Sequence, residues 1–501
     1  MGLGGKGAGF GAVGSRKCDE IGMTQSVSGS SACSLGRAFH SFEGYDPHGT
    51  ERVHRLSAKE SQIQGEGEAQ KMALHTSHSG ADSPRAHLRR SWRMTSSGLA
   101  VAFLLSSIVA IGTQVGSIGT AGASSASSKS VTVGILTSRT GAFAVEDVNS
   151  YTGELAVIKW ANSTKKYPHI NTVTIDLQSS PANALTDAKE LVQQDHVTAI
   201  LALDPFVALA GTYLASTGIP VISQGLGPVT NTQARNIFGA EGNAAGTSAN
   251  LSTYPLVAKT LGGTTVGSFG LSVAQGAVQA ATIFNQGATQ IGMKAPYLNV
   301  SVPIGQPDFA PQALALKQAG VNTVWAVLDE ATQTNLMQSL VQNKIPLKVI
   351  MSPQVYDPSS ITPTNVQYYQ NVVGPTNSSI PGTQKTNPRV VQATAILRKY
   401  GNYKLQVAND AAAGYTAGML LVYGFQLSAS NPTPTNYVNK LRSVTHWLGG
   451  LNIGAMNFKN PGPYTNYNNG GQGLCTYGMR LRGNLFYDAT GLVCGKILSS
   501  S

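Results

Sequence analysis

The sequence predicts an α/β fold with two doubly wound parallel-sheet lobes. From Val131 onward, strand-like and helix-like segments alternate along the chain, which is typical of βα units that build a parallel sheet. The segment VTAILAL at Val197–Leu203 is almost wholly apolar, as a strand buried on both faces requires. The alternation restarts at Thr265. Two successive sets of βα units indicate two lobes.

The first set contains four strand segments and three helix segments. The strand segments are Val131–Leu136, Thr172–Leu177, Val197–Leu203 and Pro220–Ser223. The helix segments carry apolar residues at helical spacing and are Tyr151–Ala161, Ala182–Gln194 and Phe206–Thr217. The polar loop Thr137–Gly141 follows the first strand, where ligands bind in sheets of this kind.

The second set repeats this pattern. Its strand segments are Thr265–Phe269, Ala295–Val302, Val321–Leu328 and Leu347–Met351. Its helix segments are Gly276–Gln286, Pro311–Ala319 and Thr332–Gln342. The chain is loop-rich after Gly374 and then forms two helix segments, Pro388–Tyr400 and Asn409–Leu427. The stretch Gly449–Ser501 is rich in Gly and Asn, with strand-like pieces such as Tyr477–Leu481.

The composition argues against a nucleic-acid partner. Charged residues make up 12% of the chain, about half of the usual share. The surface must therefore be mainly Ser, Thr, Asn, Gln and Gly, which suits an extracytoplasmic protein. The 35 basic and 24 acidic residues give a net charge of +11. The basic residues are scattered, whereas a nucleic-acid interface needs a clustered basic stripe with interleaved aromatic residues.

An export signal lies far inside the chain. It begins with four arginines, Arg85, Arg89, Arg90 and Arg93. The uncharged apolar run Gly98–Gly112 follows, and Ala121–Ala123 matches an A-x-A cleavage signal. This order predicts a signal peptide over 85–123 that is cleaved near Ala123. Because no charge follows until Lys129, an uncleaved membrane anchor is the alternative.

Residues 1–84 are rich in Gly, Ser, His and Glu and lack apolar periodicity, so we expect a disordered extension. A signal peptide belongs at an N-terminus, which indicates a translation start downstream of Met1 and an extension that is not translated. Met72 keeps the arginines of the signal, whereas Met94 would remove them. Met72 is therefore the favoured start, and a cytoplasmic tail ahead of an anchor is the alternative.

The chain contains four cysteines, Cys18, Cys33, Cys475 and Cys494. The last two are expected to form a disulfide in an oxidising compartment. Such a bridge would stabilise the C-terminal segment by roughly 3 kcal/mol. The two residues are too far apart in sequence for a zinc site, which needs closely spaced pairs. Two free buried thiols are the alternative.

Four motifs follow one another along the chain. They are GILTSRTGAFA (Gly134–Ala144), TGIPVISQG (Thr217–Gly225), GQPDFAPQALALKQAGVNTVW (Gly305–Trp325) and AAAGYTAGMLL (Ala411–Leu421). In this order they resemble the type 1 periplasmic binding proteins, specifically the branched-chain amino-acid (Leu/Ile/Val) receptors of ABC importers. The resemblance covers most of Val131–Gly495.

The resemblance implies two lobes joined by a three-crossing hinge that closes on a ligand. The crossings are expected near 250, 375 and 430. Lobe 1 would then contain 131–250 and 377–430, and lobe 2 would contain 251–376 and 431–501. The resemblance also implies an extracytoplasmic location, a small-molecule ligand and an ABC permease as partners, and neither catalysis nor a cofactor.

The resemblance further implies where the ligand binds. In the family, hydroxyls and backbone N–H groups of the first lobe hold an amino acid's carboxylate and ammonium groups, and an acid of the second lobe assists. The candidate ligand-binding residues are Thr137, Ser138, Thr140, Asp204, Phe206, Ser223, Gln224, Gln275, Asp329, Glu330, Gln354 and Tyr356.

Two of these positions depart from the family pattern. Asp204 stands where the family usually places Ser or another small residue, and Gln354 aligns with the second-lobe acid. Asp204 would repel a ligand carboxylate, and a neutral Gln354 cannot pair with an ammonium group as Glu would. We therefore expect a small polar solute, such as an amino-acid derivative or a cationic or polyhydroxylated molecule, bound by Asp204, Asp329 and Glu330.

Several of these residues also have a purely structural explanation. Asp204 and Asp329 precede helix segments and could simply cap them. Three aromatic residues, Phe206, Tyr356 and Trp325, are by contrast candidates for an apolar or cation–π wall of the ligand site. A tryptophan inside a strand, however, is more often part of the core.

Other functions find less support in the sequence. It contains no G-x-S-x-G, H-E-x-x-H or G-x-x-x-x-G-K motif of the common enzyme classes. Ser163–Lys166 fits S-x-x-K but lies in a polar stretch after a helix segment. His169, His196 and His446 show neither metal-site nor triad spacing. The main alternative is a ligand-sensing module of the same fold that signals to a membrane partner, because a fold does not fix a role.

Overall fold

The computed structural model describes residues 130–224, 234–240, 252–379, 386–459 and 474–498. The extension 1–84, the export segment 85–123, Cys18 and Cys33 lie outside these ranges. Within the ranges, no helix is both long and apolar enough to cross a bilayer.

The helices alternate with the strands along most of the chain. In chain order they are α1 (Ala144–Thr164), α2 (Ala184–Gln193), α3 (Gly211–Thr217), α4 (Thr253–Thr260), α5 (Gln275–Gln290), α6 (Ala310–Gln318), α7 (Glu330–Gln342), α8 (Val366–Tyr369), α9 (Pro388–Gly401), α10 (Asn409–Leu427) and α11 (Pro434–Leu441). Two short 3₁₀ helices, Pro205–Ala210 and Pro358–Ser360, begin directly after aspartates.

The first sheet consists of parallel strands in the order β2-β1-β3-β4-β5. The strands are β1 (Ser130–Thr137), β2 (His169–Asp176), β3 (Ala199–Ala202), β4 (Val221–Ser223) and β5 (Ile237–Gly239). The inner strand β3 is buried at every position, whereas the edge strand β2 is mostly part-exposed. The chain winds outward in both directions from the boundary between β1 and β3, so this sheet is doubly wound as predicted.

The second sheet has the order β12-β11-β10-β9-β8-β6-β7. Its strands are β6 (Thr265–Leu271), β7 (Lys294–Val302), β8 (Thr323–Val327), β9 (Val349–Met351), β10 (Val372–Thr376), β11 (Cys475–Arg482) and β12 (Leu485–Cys494). Strands β6 to β10 are parallel, and the hairpin β11–β12 joins β10 in antiparallel orientation. The direction of winding reverses between β6 and β8. The two-lobed α/β fold is therefore confirmed.

Several elements differ from the sequence-based prediction. The structure adds β5, α4, α8, β10, α11 and β12, none of which the periodicity indicated. Helix α1 begins at Ala144, seven residues before the predicted start at Tyr151. The predicted helix Phe206–Thr217 consists of a 3₁₀ turn followed by α3. The early start of α1 matters most, because its first turn carries two acids.

The chain returns to the second lobe later than the resemblance implies. Helix α11 and the residues up to Phe458 pack in one core cluster with β1, β3, α1 and α10. Tyr437 of α11 lies edge-on to Phe238 and Phe425, with ring centroids 6.4 and 5.1 Å apart. The hairpin β11–β12 belongs to the second sheet. This arrangement differs from the expected assignment of 431–501 to lobe 2, because the aromatic face of α11 packs on the first lobe.

Cys475 and Cys494 form the predicted disulfide. They lie directly opposite each other where the hairpin β11–β12 joins the rest of the chain, and Cys475 is fully buried. Replacing both with serine should lower the free energy of unfolding by about 3 kcal/mol, because the unfolded loop gains conformational freedom. Chemical denaturation with and without reductant would measure this loss. Reductant should destabilise the natural chain and leave the double variant unchanged.

Candidate functional site

The two positions where winding reverses carry matching aspartates. Asp204 lies two residues beyond the end of β3, and Asp329 lies two residues beyond the end of β8. Ligands in doubly wound sheets bind outside the carboxyl ends of the strands at such switch points. Each lobe therefore presents one buried carboxylate where a ligand is expected.

Asp204 caps the 3₁₀ helix that follows it, which is the structural role that the sequence suggested beside ligand binding. The backbone N–H of Phe206 donates to Asp204 Oδ1 at 2.7 Å. The second oxygen, Oδ2, accepts from the hydroxyl of Ser138. Ser138 in turn donates its backbone N–H to Asp147 Oδ2 at 2.8 Å. Capping therefore uses one oxygen of Asp204, and the other belongs to a polar network.

Asp329 has the same role in the second lobe. The backbone N–H of Thr332 donates to Asp329 Oδ1 at 3.1 Å, which caps α7. The other oxygen, Oδ2, is buried and has no hydrogen-bond partner, and the side chain is 0% exposed. Leaving such an oxygen unpaired is unfavourable by roughly 1–3 kcal/mol. The cap explains why an aspartate stands here but not why its second oxygen lacks a donor.

The first turn of α1 brings two further acids to this place. Burial raises the pKa of Glu146 well above its ordinary range, and Glu330, Asp329, Asp357 and Asp204 raise it further. Acids from both lobes therefore lie close enough to Glu146 to oppose its ionisation. The pKa of Asp147 is likewise raised well above its usual value, mainly by burial and secondly by the negative charge of Asp204.

Asp357 and Asp410 add a second pair of neighbouring carboxyl groups. Asp357 caps the 3₁₀ helix Pro358–Ser360 and accepts from Asn149 Nδ2 of α1 at 3.0 Å, a contact between the lobes. Burial raises the pKa of Asp357, although its hydrogen bonds oppose this shift. Burial and then the charge of Asp357 raise the pKa of Asp410 well above its usual range.

Together these residues form what we call the acid cluster. Its members are Glu146, Asp147, Asp204, Asp329, Glu330, Asp357 and Asp410. Each member stands at the start of a helix, where the helix dipole favours a negative charge. In the described part of the chain, none of the seven forms an ion pair with a basic side chain. Arg139, in the loop between β1 and α1, is exposed, and its guanidinium carbon lies 5.5 Å from the ring centroid of Tyr151.

A family model described as "Periplasmic binding protein" matches residues 130–474. The chain belongs to this family. It is therefore a solute-binding receptor, and its family places it outside the cytoplasm. No curated protein matches the chain.

Solved structures share the fold of this periplasmic binding protein. The leucine-binding protein LivK of Thermotoga maritima has a TM-score of 0.62 and 14% identity, over 73% of this chain and 99% of that one. A solute-binding protein of an R. palustris ABC transporter, in complex with 4-hydroxybenzoate, has a TM-score of 0.59 and 16% identity, over 74% and 97%. A fatty-acid ABC transporter substrate-binding protein from Thermomonospora curvata has a TM-score of 0.58 and 18% identity, over 73% and 91%.

The periplasmic binding protein brings some of the predicted ligand residues together. Ser138, Asp204, Asp329 and Glu330 belong to the acid cluster or contact it. Thr137, at the end of β1, is buried next to Ser138.

Other predicted ligand residues have no contact with the cluster among the described interactions. Ser223 is buried at the end of β4 with its hydroxyl unpaired, and Gln224 is half-buried beside it. Gln354 accepts from the Ser352 hydroxyl at 3.2 Å. Thr140 donates its hydroxyl to Asp176 Oδ2 at 3.0 Å, and Gln275 is exposed at the start of α5.

Aromatic rings lie beside the acids of this periplasmic binding protein. Phe143 and Phe206 meet edge to face, with centroids 5.1 Å apart, and both pack in the core cluster of the second lobe. Tyr356 is buried against Phe486, and its hydroxyl has no partner. Trp325 instead stacks on Phe284 at 4.7 Å inside the second lobe, so it is a core residue.

Sequence reasoning missed Glu146, Asp147, Asn149, Asp357 and Asp410. Among the described residues, no three His, Cys, Asp or Glu side chains converge as a bound metal ion requires. An open groove of about 590 Å³ lies on the first lobe between α3, β5 and α11. Its lining contains no acid and lies outside the acid cluster.

Proposed function

We propose that this protein is the receptor of an ABC importer and that its ligand binds between the two lobes, at the carboxyl ends of β1, β3, β6 and β8. The observation that carries the proposal is the hydrogen bond between Asn149 of the first lobe and Asp357 of the second, at 3.0 Å. Asn149 lies on the same helix as Glu146, whose pKa is raised by burial and then by acids of the second lobe. Polar groups of both lobes meet at one place, as closure around a ligand requires.

The proposed ligand-binding groups are those that meet there. They are Ser138 and the acid cluster, with Phe206 and Tyr356 as aromatic neighbours. The solved relatives are named for leucine, 4-hydroxybenzoate and fatty acids, each of which carries a carboxylate. A carboxylate would add a further negative charge to a cluster whose acids already oppose one another's ionisation. The ligand is therefore a small polar solute other than a plain branched-chain amino acid.

Thermal unfolding of the purified full chain tests this function. Amino acids, amides, amines, sugars and aromatic acids would each be added at increasing concentration. The ligand should stabilise the fold by about 2.7 kcal/mol at one hundred times its Kd. If no class of solute raises the unfolding temperature, the receptor proposal is wrong.

The importer is tested separately by uptake of the labelled ligand in cells that lack this protein. Loss of uptake, restored by the natural chain, supports transport. Unchanged uptake combined with a lost transcriptional response to the ligand would indicate the sensing role instead.

A further inference from the structure

We propose that the ligand is a small organic cation with at least two positively charged nitrogen groups, such as a linear diamine or triamine, held by the acid cluster of both lobes. This inference rests on the proposed receptor function and names its substrate class.

The first argument is the balance of charge. The first lobe contributes Glu146, Asp147, Asp204 and Asp410, and the second contributes the other three acids of the cluster. Buried acids are normally paired with cations or neutralised by protons. Because the described residues supply no basic partner, the opposing charge must come from protons or from a ligand. A dication with one charge toward each lobe would neutralise part of both groups.

The second argument is independent of charge and concerns unpaired oxygens. Two buried carboxyl oxygens of the cluster, Glu146 Oε1 and Asp329 Oδ2, have no hydrogen-bond partner. Asp329 is 0% exposed, so bulk solvent does not reach its free oxygen. The buried hydroxyl of Tyr356 is also unpaired and can accept a hydrogen bond. An alkylammonium group brings three N–H donors and no acceptor, which matches acceptors of this kind.

The third argument separates an organic cation from a metal ion. The described acids do not gather around one point as metal ligands do. They stand at the starts of five different helices or 3₁₀ turns, so positive charge spread along a chain fits them better than a single ion. Phe143 lies three residues before Glu146 and Phe206 two residues after Asp204, and their rings meet edge to face. They supply apolar surface near these acids for the methylene groups between the nitrogens.

Titration calorimetry on the purified full chain tests the inference. The probes are 1,4-diaminobutane, spermidine, butylamine, leucine, 4-hydroxybenzoate and the chlorides of Mg²⁺ and Ca²⁺. The diamine or triamine should bind with one-to-one stoichiometry. Butylamine should bind roughly 10- to 100-fold more weakly, because it lacks the second charge-assisted contact.

Matched variants locate the site. Asp329→Asn keeps the helix cap, since Asn and Asp cap equally well, but removes the charge. It should weaken diamine binding roughly 10- to 100-fold. Asp308→Asn is the control, because Asp308 also accepts a helix-start N–H, from Ala310 at 2.8 Å, but is exposed and outside the cluster. If Asp329→Asn fails to fold, Glu330→Gln serves in its place.

The possible failures can be told apart. Tighter binding of leucine or 4-hydroxybenzoate than of any amine overturns the inference and leaves the receptor function standing. Binding of metal ions alone, or equal weakening by Asp308→Asn, also overturns it. If no probe binds and no other solute stabilises the chain, the receptor function itself fails.

Discussion

We expect the purified chain, without added ligand, to unfold at a lower temperature at about pH 8 than at about pH 5. Burial raises the pKa of Glu146, Asp147 and Asp410 well above the ordinary range, and neighbouring carboxylates raise it further. The folded state therefore holds more protons than the unfolded state from about pH 4 up to these raised values. Over that interval the free energy of unfolding falls as pH rises, because unfolding lets the acids ionise in water.

The effect should be large because several acids act in the same direction. Burial also raises the pKa of Glu330 and Asp357, and of Glu154 elsewhere on α1. A tenfold difference in the acid dissociation constant of one group between the folded and unfolded states changes the free energy of unfolding by about 1.4 kcal/mol. Asp176 acts the other way, since hydrogen bonds lower its pKa more than slight burial raises it. That group is mostly exposed and contributes little.

Scanning calorimetry over a pH series measures this dependence. Glu146→Gln removes one buried titrating acid and should flatten the slope of unfolding temperature against pH. Glu190→Gln is the control, because Glu190 is exposed on α2 and should leave the slope unchanged. An unfolding temperature that stays constant or rises toward pH 8 would mean that the cluster is ionised and stabilised in the folded chain.

The sequence was sufficient for the inner strands β3 and β8 because they are buried on both faces. VTAILAL and VNTVWAVL contain β3 and β8, and the acids that follow them directly, Asp204 and Asp329, were among the candidate ligand residues that the family resemblance implied. A parallel sheet fixes where its strands end, so a residue just after a buried strand can be placed without the structure.

The remaining acids could not be placed in this way. Glu146 and Asp147 precede the recognisable apolar pattern of α1, and their turn is polar enough to be taken for a loop. Asp357 and Asp410 are distant in sequence, so only the tertiary fold brings them together. Capping alone also explains an acid at a helix start, so the sequence does not indicate that such an acid belongs to the ligand site.

The close packing of α1 against α10 leads to the other large expected effect. A Cβ atom added at Gly414 would lie 1.9 Å from the backbone oxygen of Ser150, and one added at Gly153 would lie 2.6 Å from the oxygen of Ala411. Backbone atoms in two packed helices cannot move aside as a flexible side chain can. Gly414 of AAAGYTAGMLL is therefore required for close helix contact.

Gly414→Ala should lower the free energy of unfolding by about 3 kcal/mol, since overpacking outweighs the gain of about 1 kcal/mol in helix propensity. Gly276→Ala is the matched control, because an added Cβ there meets nothing within 4 Å on α5, and it should be neutral or slightly stabilising. Denaturant unfolding with comparison of m-values measures both variants.

Equal stability of the two would show that α1 and α10 can separate freely. If Gly414→Ala does not fold, Gly153→Ala tests the same contact with a milder clash. Because α1 carries Glu146 and α10 carries Asp410, a shift between these helices should also displace acids of the cluster and weaken ligand binding.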